Sequence, residues 1–355
     1  MNFLEKWFGY VMTGCYWLTH NYVISLLLFA LIFQLVLFPL GWKQQKNMVK
    51  QAMLRPQEMA IKKKYAGRND QVTMRKMQNE LMELQQNNGY SPLAGCLPMI
   101  VQMIIIFPLY WVVVRPLQYA GRLSYSACYA MAEALKVQTD ANGNVISGII
   151  EFGKNGQPTS SAFQVDIATQ LANGWRPDAS LWDPERNMSV LEEVNGMIDR
   201  FNGVPNATLF GVDLGVDPFS ALGMRGSWWL IIIPLINLGL MYLSQYLSKK
   251  LNYQSVQQET QQAAGSMKIM MYVLPLMTFF ATATFATAIG IYWIFRTLLS
   301  MLQQFILHKA LPYPKFTEED YKKAEKEYKK GTVSTGTRNI PQREYRSLHH
   351  IDDDD

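Results

Sequence analysis

Arg296 lies seven residues into an apolar run, Ile289 to Leu307, and an arginine in that setting needs a partner or water. A charge at the bilayer centre costs about 2.5 to 3.5 kcal/mol on the insertion scale, and Arg296 is too deep for its side chain to reach either interface easily. Tyr292 and Trp293 precede it and Thr297 follows it. Gln34 lies twelve residues into a second run, Gln102 occupies a third, and Thr278, Thr282, Thr284 and Thr287 add hydroxyls to a fourth. No Asp or Glu occurs in any of these runs, so Arg296 has no counter-ion there. Two readings follow. The polar groups bond one another or nearby carbonyls and hold helices together. Alternatively they line a hydrated cavity whose uncompensated charge attracts an acidic or polar segment of a visiting chain, the reading that the missing counter-ion supports.

Conventional catalysis finds little support. His20, His308, His349 and His350 stand at the ends of apolar runs or in the tail, no nucleophile constellation can be composed from them, and the protein reads as a non-enzyme. Cys15, Cys96 and Cys128 show neither metal-ligand spacing nor a disulfide framework, and no cofactor or metal is expected. Cys15 and Cys128 fall on one side of the membrane, which leaves a disulfide open beside the plainer reading of unpaired thiols. Met12-Thr13-Gly14-Cys15 looks like a lipoprotein cleavage box, but no convincing signal segment precedes it.

The elements that must hold these groups are five apolar stretches: residues 22–42, 97–114, 228–247, 269–288 and 289–307. Each is near the ~20 residues that a helix needs to cross ~30 Å of hydrocarbon. The last two are nearly continuous and must turn tightly if both span. The fold class expected is an all-α membrane protein of five transmembrane helices, with a cytoplasmic helical hairpin and an external insert that is α+β or partly ordered.

Charge orients them. Between Gly41 and Cys96 there are ten Lys or Arg against four Asp or Glu, whereas between Pro116 and Gly226 there are seven against twelve. The first loop is therefore inside and the second outside, with the N-terminus outside and the C-terminus inside. Lys249, Lys250 and Lys268 place the 248–268 loop inside as well, and the tail 308–355 carries ten basic and ten acidic residues in blocks. Residues 1–21 read as an external amphipathic segment at the membrane surface, with Phe3, Leu4, Trp7, Phe8, Tyr10 and Val11 apolar at near-helical spacing.

Residues 43–90 read as the helical hairpin, with Pro56 in a first turn, Gly67 to Asp70 as the reversal, and Asn88-Gly89 before Pro92 as the stop. Met74, Met77, Leu81 and Leu84 stack on one face of the second arm, and the first adds Met48, Met53 and Met59. Such methionines either recruit varied apolar partners or form the seam between the arms. In the insert, residues 116–226, Asp140 to Gly156 suggests a β-hairpin and Leu191 to Phe201 a helix.

Gln34 to Leu40 with Pro39, then Lys43-Gln44, Met53 to Pro56, and above all Ser91-Pro92-Leu93-Ala94-Gly95-Cys96-Leu97-Pro98 followed by Gln102, resemble the core of the YidC/Oxa membrane protein insertases. Tyr292-Trp293 and Gln303-Gln304 are similar to that family's final helix. The resemblance covers residues 21–114 and 210–307. It implies a five-helix bundle in a bacterial cell membrane, with a groove open to the cytoplasm and lipid but closed externally. Nascent membrane proteins would place a polar end in the groove, lined here by Gln34, Gln102, Tyr292, Trp293, Arg296 and Thr297, while their apolar segments slide into lipid. The hairpin, through Met59, Met74, Met77, Leu81 and Leu84, would meet substrate first. The basic hairpin and tail could touch the ribosome, and a Sec-type translocon could participate. Bacterial members usually carry Arg or Lys five residues before the first-span proline, where this chain has Gln34. The charge is read as relocated to Arg296.

A channel or transporter, or a scaffold for assembly after insertion, are the alternatives. Against transport, no internal repeat or matched pair of broken helices is visible.

Overall fold

The computed structural model describes residues 3–67, 70–88, 108, 110–139, 145–177, 184–201, 208–223, 227–251 and 266–329. The architecture is mainly helical. In chain order the elements are α1 (Phe3–Thr19), α2 (Tyr22–Met53), α3 (Arg55–Lys64), α4 (Gln71–Asn87), α5 (Pro116–Tyr119), α6 (Tyr125–Ala134), β1 (Gln138–Thr139), β2 (Val145–Ser147), α7 (Phe163–Ala172), α8 (Pro184–Phe201), β3 (Thr208–Leu209), β4 (Val212–Asp213), α9 (Pro218–Ala221), a 3-10 turn (Trp228–Ile231), α10 (Ile232–Leu251), α11 (Ser266–Thr284), α12 (Thr287–Ala310) and α13 (Glu318–Lys329). Among the described residues, two helices are long and apolar enough to cross a membrane, Tyr22–Met53 and Trp228–Leu251. α11 and α12 are separated only by Phe285 and Ala286.

The chain divides into two compact units. The first comprises residues 1–36, 102–243 and 274–300. Its core joins Met12, Cys15 and Tyr16 of α1, Tyr22, Leu26 and Phe29 of α2, Val112 to Val114, the buried faces of α6, α7 and α8, and Ile289, Ile291 and Tyr292 of α12. α1 therefore has two apolar faces, one in this core and one, with Phe3, Trp7, Tyr10 and Trp17, exposed. Gly9 permits the core contact, because a Cβ there would come within 2.5 Å of the Tyr119 ring. Ser124 caps α6 by accepting from the Ala127 N–H at 3.1 Å, and Asp217 caps α9 by accepting from Ser220 N–H at 2.8 Å.

The insert carries two small antiparallel sheets. β1 pairs with β2, and β3 with β4 in the register Thr208↔Asp213 and Leu209↔Val212. Cys15 and Cys128 are both buried free thiols, which answers the open disulfide. Burial pushes the Cys15 thiol up to about 11, so it is held protonated at neutral pH.

The second unit comprises residues 37–101, 244–273 and 301–355. α2 does not stop where its hydropathy does. It continues to Met53, so Met48 and Met53 belong to this long helix and not to a hairpin arm. Leu54 interrupts it, Pro56 sits in the first turn of α3, and Asp70 caps α4 by accepting from Thr73 N–H at 2.9 Å. α3 and α4 close on Ile61, Met77, Leu81 and Leu84, with Met59, Met74, Tyr65 and Tyr328 partly buried around them. Within this seam the Gln85 amide donates to the buried Glu58 carboxylate at 3.0 Å.

Candidate functional site

α12 carries four of the six expected groove residues, Tyr292, Trp293, Arg296 and Thr297. Its N-terminus is tied to the insert: Thr287 donates from both its backbone N–H (3.1 Å) and its hydroxyl (2.6 Å) to the Val216 carbonyl, and Ala288 N–H donates to Leu214 O at 3.0 Å. These bonds satisfy donors that a helix start otherwise leaves open. One turn on, the Asn237 amide of α10 donates to the Gly290 carbonyl at 2.9 Å. A Cβ at Gly290 would approach Ile233 to 2.8 Å, so glycine is what allows α10 and α12 this close.

Beyond that clamp, Tyr292 and Arg296 lie four residues apart on one stripe of α12, and Trp293 and Thr297 on the next. Tyr292 is buried, with its ring centroid 6.3 Å from that of Phe29 on α2; Phe29 in turn packs at a tilt against Phe33, with centroids 4.7 Å apart. Gln34 lies five residues beyond Phe29 on α2, and Arg296 four beyond Tyr292 on α12. At ~1.5 Å rise per residue, each is within about two turns of the ring contact. Gln34, Trp293, Arg296 and Thr297 are all half-buried. Among the described residues, no carboxylate pairs with Arg296. A guanidinium remains charged in proteins, so its compensation there must come from water, dipoles or a visiting group.

Gln102 and the Ser91 to Pro98 motif lie outside the described residues. In the hairpin, Met77, Leu81 and Leu84 are buried in the seam, and Met59 and Met74 flank it. The seam has a further cover: α13 lies along α3, with Lys63 Nζ 2.6 Å from Glu325 and the Tyr328 hydroxyl donating to Glu80 at 2.7 Å. Lys64 bonds the same Glu80 at 2.6 Å. Burial pushes the Glu80 carboxyl up, but hydrogen bonds from Lys64 and Tyr328 outweigh it and hold the group below its ordinary value.

Asn237 and α13 were not anticipated. A lone amide inside Ile232 to Leu240, and Tyr321, Ala324 and Tyr328 at spacings of three and four within a charged tail, were the available signals.

Two helices long and apolar enough to cross a bilayer, with a half-buried cation on a third helix, α12, are features of a helical membrane protein. The model of the 60Kd inner membrane protein family matches residues 14–147 and 187–314, and the chain belongs to that family, which is also the YidC/Oxa family. The match reaches further into the insert than the resemblance above, leaving residues 148–186 outside it. The chain is 42% identical over 95 residues to membrane protein insertase YidC 2 of Bacillus anthracis, covering 27% of this chain and 37% of that protein. It is 41% identical over 102 residues to membrane protein insertase YidC of Aquifex aeolicus, covering 28% and 19%. With YidC of Bifidobacterium longum it shares 31% over 138 residues, covering 38% and 41%. The aligned segments thus span less than half the length of each relative.

Proposed function

We propose that this protein is a membrane protein insertase. In this reading five helices cross a bacterial cell membrane, with the N-terminus outside and the C-terminus inside. A polar recess bordered by Gln34, Gln102, Tyr292, Trp293, Arg296 and Thr297 receives the hydrophilic end of a nascent membrane protein from the cytoplasmic side, and its apolar segment passes along the helices into lipid. Apolar transfer supplies the drive, ~25 cal/mol per Å² removed from water. The recess shortens the barrier for the polar end, whose dehydration is the costly step.

One observation supports this reading most: Arg296 is half-buried without a carboxylate partner among the described residues, in a chain whose apolar runs contain no acid. A purely structural arginine would be expected to have its charge neutralised within the bundle. Family membership gives the same direction, since the relatives named above are insertases.

Photo-cross-linkers placed at Gln34 and Arg296 should capture a ribosome-stalled single-span substrate through its polar tail. Capture only after release from the ribosome would favour an assembly scaffold. Solute flux through proteoliposomes, with no substrate capture, would favour a channel.

A further inference from the structure

The β3–β4 hairpin of the insert is joined by Phe210 and Gly211, with φ of 49° and 79°. Two consecutive residues with positive φ make the two-residue turn that suits hairpin twist, whose first position favours Asn, Asp or Gly. Here a phenylalanine occupies it. A bulky side chain in the left-handed region is strained, and such strain persists only where the surroundings hold it. Nor does burial explain the choice, because Phe210 is 88% exposed.

The surroundings of the tip indicate what covers it. The Phe210 ring stands 5.9 Å from that of Trp229, in the turn that opens α10, and the neighbouring Trp228 is 61% exposed. α9 packs against the same turn, with Phe219 against Phe279 and Phe280 near the end of α11, and Leu222 is exposed beside it. Immediately after β4, Leu214 and Val216 bind the start of α12. The hairpin tip, the start of α10, the end of α11 and the start of α12 therefore share one end of the first unit. Phe210 is four residues from Leu214, so even fully extended it lies within about 13 Å of that residue, whose carbonyl accepts from Ala288 at the start of α12. Exposed aromatics at this level match the belt that membrane proteins place at the headgroup boundary.

We propose that this hairpin tip is a lipid anchor, with Phe210, Trp228 and Leu222 seated in the headgroup–acyl boundary of the outer leaflet. The apolar patch continues onto exposed Phe280 of α11, so its occupant is the one that already surrounds a membrane helix. The anchor fixes the height of the insert and, through Leu214 and Val216, braces the helix that carries Arg296. It depends on membrane residence and not on insertase activity.

The test uses the full chain in lipid nanodiscs of phosphatidylethanolamine and phosphatidylglycerol. A spin label is placed at Phe210→Cys or, separately, at Leu222→Cys, in a Cys96→Ser background with the buried Cys15 and Cys128 retained. The unlabelled-site background and the exposed polar position Asn173→Cys serve as controls. Both patch labels should relax several-fold more with oxygen, which concentrates in lipid, than with a water-soluble nickel chelate, and Asn173→Cys should show the reverse. Nickel-dominated relaxation at both patch positions would overturn the anchor. Protection from both reagents would overturn it too, because it would place protein over the patch. Leu222→Cys keeps the test decisive if the turn does not tolerate Phe210→Cys.

Discussion

Asn237 and Gly290 show how much rests on single residues. The amide donates across to a backbone carbonyl at 2.9 Å, and the glycine leaves room for it. Interhelical hydrogen bonds of this kind contribute ~0.6 kcal/mol on average and up to ~1.7. Asn237→Ala should therefore lower unfolding stability in detergent by about 1 kcal/mol, and Gly290→Val by more, since bulk there forces α10 and α12 apart. Unfolding midpoints measured by intrinsic fluorescence would show both; equal midpoints for the Gly290 variant and the parent would mean that the helices can separate freely.

A second single-residue effect lies in the insert. Burial, with Asp213 nearby, pushes Asp166 from 3.8 to about 7, and burial also raises Asp213 against the Gly215 N–H that it accepts at 2.7 Å. The folded-state value exceeds the unfolded one, so the folded insert binds the extra proton between about pH 4 and pH 7. Stability consequently falls as pH rises through that window, and the full penalty is present above it. Asp166→Asn should flatten the thermal stability profile across the window and raise the melting temperature at pH 8. An unchanged slope would remove Asp166 as its source.

At the scale of elements, helices were more legible than their ends or their partners. Hydropathy reports bilayer thickness, so it ended the first stretch at Trp42; nothing in Lys43 to Met53 breaks a helix, and α2 runs on. Pro56, Gly67 and Asp70 act where their backbone chemistry dictates: Pro56 in a first turn, Gly67 at φ 83°, and Asp70 as a cap. The helix ending at Phe201 follows its apolar periodicity in the same way, whereas the hairpin expected over Asp140 to Gly156 is met only by the pairing of Gln138–Thr139 with Val145–Ser147, whose first strand lies ahead of the expected range. Docking of α13 on α3 was not legible, because it depends on tertiary pairing of Lys63 with Glu325 and of Lys64 with the Tyr328 hydroxyl, both far away in sequence. Arg296 and Gln34 were legible as expensive polar residues within apolar runs, but Asn237 was lost in such a run, and Gln102 lies outside the described residues.

The α13 contact carries its own prediction. Tyr328 both covers the Met77, Leu81 and Leu84 seam and donates to Glu80. Tyr328→Ala should weaken the hairpin locally by about 1 kcal/mol, the scale of one lost hydrogen bond. Hydrogen exchange should then quicken in α4 around Leu81 and stay unchanged in α7. The Glu80 contribution is present at neutral pH and fades as pH falls through its lowered folded-state value, so acid alone should reproduce part of the effect. Identical exchange in the variant would show that α13 merely rests on the surface.

For the whole molecule, the decisive quantity is the charge that Arg296 holds among helices containing no acid. Two unit charges ~8 Å apart at an effective dielectric of ~20 attract by about 2 kcal/mol. If an acidic substrate tail feels that attraction while crossing, Arg296→Ala should slow its insertion by roughly tenfold or more. A substrate with a neutral tail should be nearly unaffected, and Arg296→Lys should restore most of the acidic substrate's rate, since it keeps the charge but not the planar fork. This pattern separates electrostatics from helix packing, because a packing defect would slow both substrates alike and would not follow charge. Insertion assayed by protease protection in proteoliposomes, with tails differing only in Asp and Asn content, reads it directly. Equal loss for the two tails would return Arg296 to a structural role.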